Sequence, residues 1–164
     1  MNKIDKDGLL LCEIQADTFE KSIEYIESSS EIFIRRFMHS EVANSFDDKT
    51  ILNTNLQSKD VLDLINEEYG KTNYGSIKYT KNEMYWMGYI YRYFAYTYEI
   101  STLNVYKIIK PKELRTLFLS YHTLSPDKVV ERIMEAKGLL LSEEEELKRQ
   151  YSIFKRVREE YCFR

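Results

Sequence analysis

Glycine and proline are scarce, five and two respectively among 164 residues. Their scarcity leaves no glycine-rich phosphate loop and no proline-rich recognition tract, and it leaves long stretches without a helix breaker. Cysteine and histidine are scarcer still. Cys12 and Cys162 stand at opposite ends without CxxC spacing, and His39 and His122 are the two histidines. No set of residues therefore has the spacing of a zinc site, and neither HExxH nor GxSxG occurs. The expectation is no metal, no cofactor and two reduced thiols in a cytoplasmic protein.

Long hydrophobic runs are missing as well. The charge-free stretch in the most apolar region runs from Met84 to Tyr91 and is ended by Arg92, far short of the roughly 20 apolar residues that span a membrane. Gly8 to Cys12 is too brief for the apolar region of a signal peptide, and Glu13 follows it without a small-residue cleavage site. An excess of positive charge is also absent: the net charge is −3. That balance argues against a binder that relies on overall attraction to phosphate, although a local basic patch remains open.

What the chain does have is apolar residues at 43 %, charge at 31 % and fourteen tyrosines. This is the composition of a globular protein, and 164 residues suffice for a core without a covalent staple. Tyrosines in such number belong either to the wet edge of a core or to a partner surface.

The apolar spacing is helical nearly throughout. Phe19, Ile23 and Ile26 predict a first short helix from Asp17, capped by Asp17 or Thr18. The Ser28-Ser29-Ser30 run breaks it and caps a second, running to about Phe46. There Phe33, Ile34, Phe37 and Met38 cover a core arc, leaving Arg35, Arg36 and His39 on the opposite arc, either as a solvated helix face or as candidates for contact with an acidic partner or a phosphate. Asp47 to Leu56 predicts a loop. Ser58 opens a helix with Val61, Leu62, Ile65 and Tyr69 on one face, closed by Gly70. Lys71 to Lys78 reads as a connector, with Ile77 to Tyr79 as the one plausible strand fragment.

Thr80 and Glu83 form a capping-box pair ahead of a helix that continues to Glu99. Its apolar residues point in nearly every direction, which predicts a central helix surrounded by protein, and Gly88 in its middle predicts a close helix crossing. A short helix follows Ser101, another begins at Pro111, and a third, begun by Ser125-Pro126-Asp127, ends at Gly138. Ser142 and Glu145 make a last capping-box pair, before a charged helix whose Leu147, Tyr151, Phe154 and Tyr161 form an apolar seam. Tyr151, Phe154 and Tyr161 are partner-binding candidates; the seam packs either on the body or in a partner's groove. The sum is an all-α bundle of six to eight helices around an aromatic-rich helix. Residues 1–138 form the bundle domain and 139–164 the amphipathic tail.

Two chemical alternatives attach to particular residues. Arg115 and His122 resemble the loose Arg/His pattern of helical HEPN ribonucleases, in which arginine steadies phosphate charge and histidine moves a proton. On one continuous helix the two would share a face about 10 Å apart. Val105 to Leu119, with Lys107, Lys110, Lys112 and Arg115, reads alternatively as a DNA-binding helix-turn-helix.

Ser29-Ser30-Glu31-Ile32-Phe33-Ile34-Arg35-Arg36-Phe37-Met38, the segment Tyr79 to Tyr98, and Val105 to Arg115 resemble a family of small helical bacterial proteins encoded beside ADP-ribosyltransferase-like toxins. The likeness covers about residues 17 to 137. Ile90 to Met134 is also similar to a second small helical family found in that setting. The resemblance implies a non-enzymatic, antitoxin-like or accessory role: a helical body that binds a companion toxin. It carries no functional residues across. A homo-oligomer remains open, and a membrane or nucleic-acid partner is not expected.

Overall fold

The structure, a computed structural model, describes residues 1–140 and 143–162. Among them the chain is all-α, with ten α-helices, one 3-10 turn at Thr50–Asn53 and no strand. In chain order these are α1 (Lys6–Tyr25), α2 (Ser30–His39), α3 (Glu41–Asp47), α4 (Ser58–Tyr69), α5 (Lys81–Tyr98), α6 (Thr102–Ile108), α7 (Pro111–Thr116), α8 (Phe118–Tyr121), α9 (Pro126–Ala136) and α10 (Glu143–Cys162). Among the described residues no helix is long and apolar enough to cross a membrane. The chain divides into two compact units, Met1–Val130 and Glu131–Arg164, at a boundary inside α9.

The helices outnumber the six to eight expected because the chain breaks at Ser40, between α2 and α3, and at Leu117, between α7 and α8. Ser40 ends α2 and starts α3 at once: its hydroxyl donates to the Phe37 carbonyl and accepts from the Ala43 N–H. In the other direction, α1 is longer than expected. It begins at Lys6 under an Asp5 cap, and its buried face (Leu11, Cys12, Gln15, Ala16, Phe19, Ser22) continues one helical stripe backwards. Asp17 and Thr18 are therefore mid-helix and cap nothing. Asp17 instead accepts from Lys21 and from the Ser58 hydroxyl at the start of α4.

In the first unit α1 and α5 form the most extensive helix pair, with α4 on α1 and with α6 and α7 on α5. Gly88 stands at the crossing, where a Cβ would come 2.8 Å from Phe19 Cγ and 3.0 Å from both Ala16 Cα and the Gln15 carbonyl oxygen. Phe19 in turn meets Phe33 and Phe37 edge-on at 5.4 and 5.1 Å between ring centroids, tying α2 to this pair.

The Thr80/Glu83 capping box starts α5 as the spacing predicts. Burial on all sides does not hold, however: Tyr85 is 39 % exposed, and Trp86, Tyr89, Tyr96 and Tyr98 are partly covered. These tyrosines use their amphipathic rings at the core's edge, whereas Tyr91 and Tyr93 are buried and the Tyr91 hydroxyl donates to the Ile109 carbonyl.

Residues 70–79 connect α4 to α5 without forming a strand. They lie across the start of α2, where the Ser29 and Ser30 N–H groups donate to the Tyr74 and Ile77 carbonyls and the Tyr79 N–H to the Ser30 hydroxyl. Lys78 reaches back to the Ile26 carbonyl. Helix ends expose backbone groups with no intrahelical partner, and the connector supplies those of α2.

In the second unit, α10 carries ion pairs Lys148–Glu144 at 3.1 Å and Arg149–Glu146 at 3.6 Å. Leu147, Tyr151, Phe154 and Tyr161 are exposed along it. The proposed cap Ser142 lies outside the described residues.

Candidate functional site: a basic groove walled by tyrosines

Arg35, Arg36 and His39 project from the face of α2 opposite its buried Phe33, Ile34, Phe37 and Met38. Three adjoining hollows of about 600, 580 and 370 Å³ run over this face. The first shares Ile32, Arg35, His39 and Tyr74 with the second, which shares Ser29, Glu31 and Gly75 with the third. Together they form one groove, bounded by Tyr69 at the end of α4, the connector, Tyr106 of α6, and Lys110, Lys112 and Arg115 around the start of α7.

The groove thus gathers five fixed positive charges on a chain whose net charge is −3. Several are held in place. Arg36 donates to the Gly70 carbonyl at 2.7 Å and lies 5.4 Å from the centre of the Tyr69 ring, closing the C-terminus of α4. Lys110 sits 4.0 Å from the Tyr106 ring centre. Arg115 donates to Glu83 at 2.9 Å and lies 4.2 Å from the Tyr79 ring centre. His39 meets the edge of Tyr106 at 5.2 Å, and its Nδ1 donates to the Arg35 carbonyl. Among the described residues no carboxylate lies within ion-pair distance of Arg35, Arg36, Lys110 or Lys112. Burial holds the Tyr69, Tyr79 and Tyr106 phenols above their ordinary value of 10.0, so they remain neutral donors at pH 7.

Arg115 therefore belongs to this groove and not to a helix shared with His122. α7 ends at Thr116 and α8 is a separate turn of helix. The His122 ring stacks on Phe118 at 4.7 Å, and its Nδ1 donates to the Phe118 carbonyl; Phe118 in turn meets Trp86 edge-on at 5.6 Å. The expected helix-turn-helix resolves into α6 and α7, of seven and six residues. Lys110, Lys112 and Arg115 of that segment line the groove.

A second polar assembly is buried on the far end of α5. Arg92, 1 % exposed, donates to Gln15 on α1 at 2.8 Å, to Asp47 at the end of α3 at 2.7 Å and to the Thr102 hydroxyl on α6 at 2.5 Å. Thr102 gives its hydroxyl hydrogen and its N–H to Asp47, and Gln15 donates to the Gly88 carbonyl. Each member is hydrogen-bonded to another, so the assembly fastens four helices. Cys12 is also enclosed, and burial pushes its thiol up to about 12, which makes it a poor nucleophile at neutral pH. Among the described residues no group of three or more His, Cys, Asp or Glu side chains is placed to hold a metal ion.

Sequence reasoning reached Arg35, Arg36 and His39 through the helical arc. It did not join them to Lys110, Lys112 and Arg115, which are some 75 residues away in the chain and meet α2 only by tertiary packing. Arg92 did carry a signal, as a lone charge inside an otherwise apolar helix, which must find acceptors in the core. Tyr151, Phe154 and Tyr161 lie on α10 in the second unit, each more than 70 % exposed. Comparison of the chain with models of known protein families, with curated proteins and with solved structures finds no match.

Proposed function

We propose that this chain is a non-enzymatic protein-binding module, an antitoxin-like component of a bacterial toxin–antitoxin or defence locus that binds and neutralises a companion toxin. The observation that carries the reading is the groove. Arginine and tyrosine are the residue types that dominate binding energy at protein interfaces. Here they line one hollowed surface, with several of the cations held by ring and carbonyl contacts. Pinned side chains lose less freedom when a partner arrives, which favours affinity. The exposed Tyr151, Phe154 and Tyr161 of α10 offer a second, apolar surface of the kind an amphipathic helix presents to a partner's groove. The resemblance to proteins encoded beside ADP-ribosyltransferase-like toxins supplies the kind of partner.

The test is co-expression of the full chain with each protein encoded beside it, read by size-exclusion chromatography and by rescue of growth. A stable complex that relieves toxicity is expected. Truncating Tyr151, Phe154 and Tyr161 together to alanine is expected to weaken that complex by about a hundredfold or more, since each buried aromatic anchor contributes on the order of 1–2 kcal/mol. Failure of every neighbour to bind or to be neutralised would overturn the reading. Cleavage of RNA by the chain alone, abolished by Arg115→Ala or His122→Ala, would put a ribonuclease in its place.

A further inference from the structure

The groove's charges alternate along its length. At one end stand Arg35 and Arg36, in the middle hollow Lys110, and at the other end Lys112 and Arg115. Between them the wall of both overlapping hollows includes Glu31, one helical turn before Arg35 on α2. The flanks are apolar and open, with Tyr74 75 % and Ile77 65 % exposed on the connector. A ligand that fits must therefore bring negative charge at both ends, a donor or a cation in the middle, and apolar surface to cover the connector.

We infer that the groove receives an extended acidic segment of a partner protein, with carboxylates on Arg35/Arg36 and on Lys112 and a lysine or a backbone N–H opposite Glu31. This rests on the protein-binding reading and specifies what the partner presents. A single nucleic-acid strand fits less well for two reasons. Its uniform charge sets a phosphate against Glu31, on a body that is itself net negative. Three of the four tyrosine rings that line the groove also carry a cation already, Arg36 on Tyr69, Lys110 on Tyr106 and Arg115 on Tyr79, which leaves Tyr74 as the ring for a base to stack on. A peptide needs no free ring face, and its mixed charges can match the groove's order.

The experiment is an anisotropy titration of the full chain with three labelled probes. These are a synthetic peptide with glutamates at both ends and a central lysine, its charge-inverted counterpart, and a single-stranded oligouridylate of equal length. The first peptide is expected to bind in a salt-sensitive manner, at least about tenfold more tightly than either other probe. The double reversal Arg35→Glu/Lys112→Glu is expected to abolish that preference. Both side chains are exposed and unpaired with any carboxylate among the described residues, so the variant keeps its fold, as circular dichroism checks. Glu31→Lys should weaken the peptide with the central lysine and strengthen one made of glutamate alone. Tighter binding of oligouridylate, or peptide binding indifferent to the reversals, overturns the assignment. The companion complex separates the two readings: a complex that forms and survives the double reversal leaves protein binding standing and removes the groove from it, whereas no complex with any neighbour removes protein binding itself.

Discussion

Arg92 is the residue on which the interior depends most visibly. A guanidinium with no route to water holds its charge only because Asp47, Thr102 and Gln15 receive its donors, and burial still draws its pKa down from the ordinary value. Removing one member of such a pair costs about 3–5 kcal/mol, because the other is left charged and uncompensated. The two deletions should differ. Asp47 retains 22 % side-chain exposure and can rehydrate, whereas Arg92 retains 2 % and cannot. Asp47→Ala is therefore expected to lower stability more than Arg92→Met, which fills the same space with an apolar side chain. Urea unfolding of the two variants measures this directly, and equal or reversed costs would show that Arg92 reaches solvent when its partner is gone.

Among the helices, the α1/α5 crossing gives the clearest contest between local preference and packing. In an isolated helix Gly88→Ala would be favoured by about 1 kcal/mol. Here the added methyl meets Phe19, Ala16 and the Gln15 carbonyl at 2.8–3.0 Å, and two of those atoms belong to backbone. Overpacking of that kind costs about 1–3 kcal/mol, so the variant is expected to unfold at lower temperature than the parent. A higher melting temperature would falsify the closeness of the crossing. Glycine in the middle of α5 is thus a packing residue, as its cost to the helix implied.

The molecule as a whole should be most stable across a broad neutral range. Asp17 and Glu83 both lie below their ordinary values of 3.8 and 4.5: partial burial opposes the shift, and hydrogen bonds from Lys21 and Ser58 or from Arg115 and Thr80 outweigh it. Asp5 is lowered by the Tyr96 hydroxyl and the Gly8 N–H. A depressed carboxylate contributes stability above its unfolded value and loses it as pH falls through its folded value. Cys12, whose ordinary value is 9.0, and Tyr89 and Tyr91, whose ordinary value is 10.0, are raised by burial. Their contribution is complete below those ordinary values and fades as pH rises through the folded ones. The urea midpoint is expected to be flat from about pH 5 to 9 and to fall on both sides. Cys12→Ala should delay the alkaline fall, and an unchanged alkaline limb would assign it to the tyrosines alone.

Much of this protein was determined locally. Helical spacing of apolar residues, the Thr80/Glu83 box, the serine run before α2 and Gly70 after α4 act over a few residues, and each appears where its chemistry requires it. The Arg35, Arg36 and His39 arc was legible for the same reason. Tertiary structure decided the rest: that α1 runs back to Lys6, that α5 keeps a partly open tyrosine face, that Arg92 finds acceptors on three other helices, and that the cations around α7 join those of α2 across a connector. Periodicity reports which face of a helix is apolar but not which element covers it. Burial, the matching of buried charges and the meeting of distant side chains depend on that covering element, and packing alone selects it.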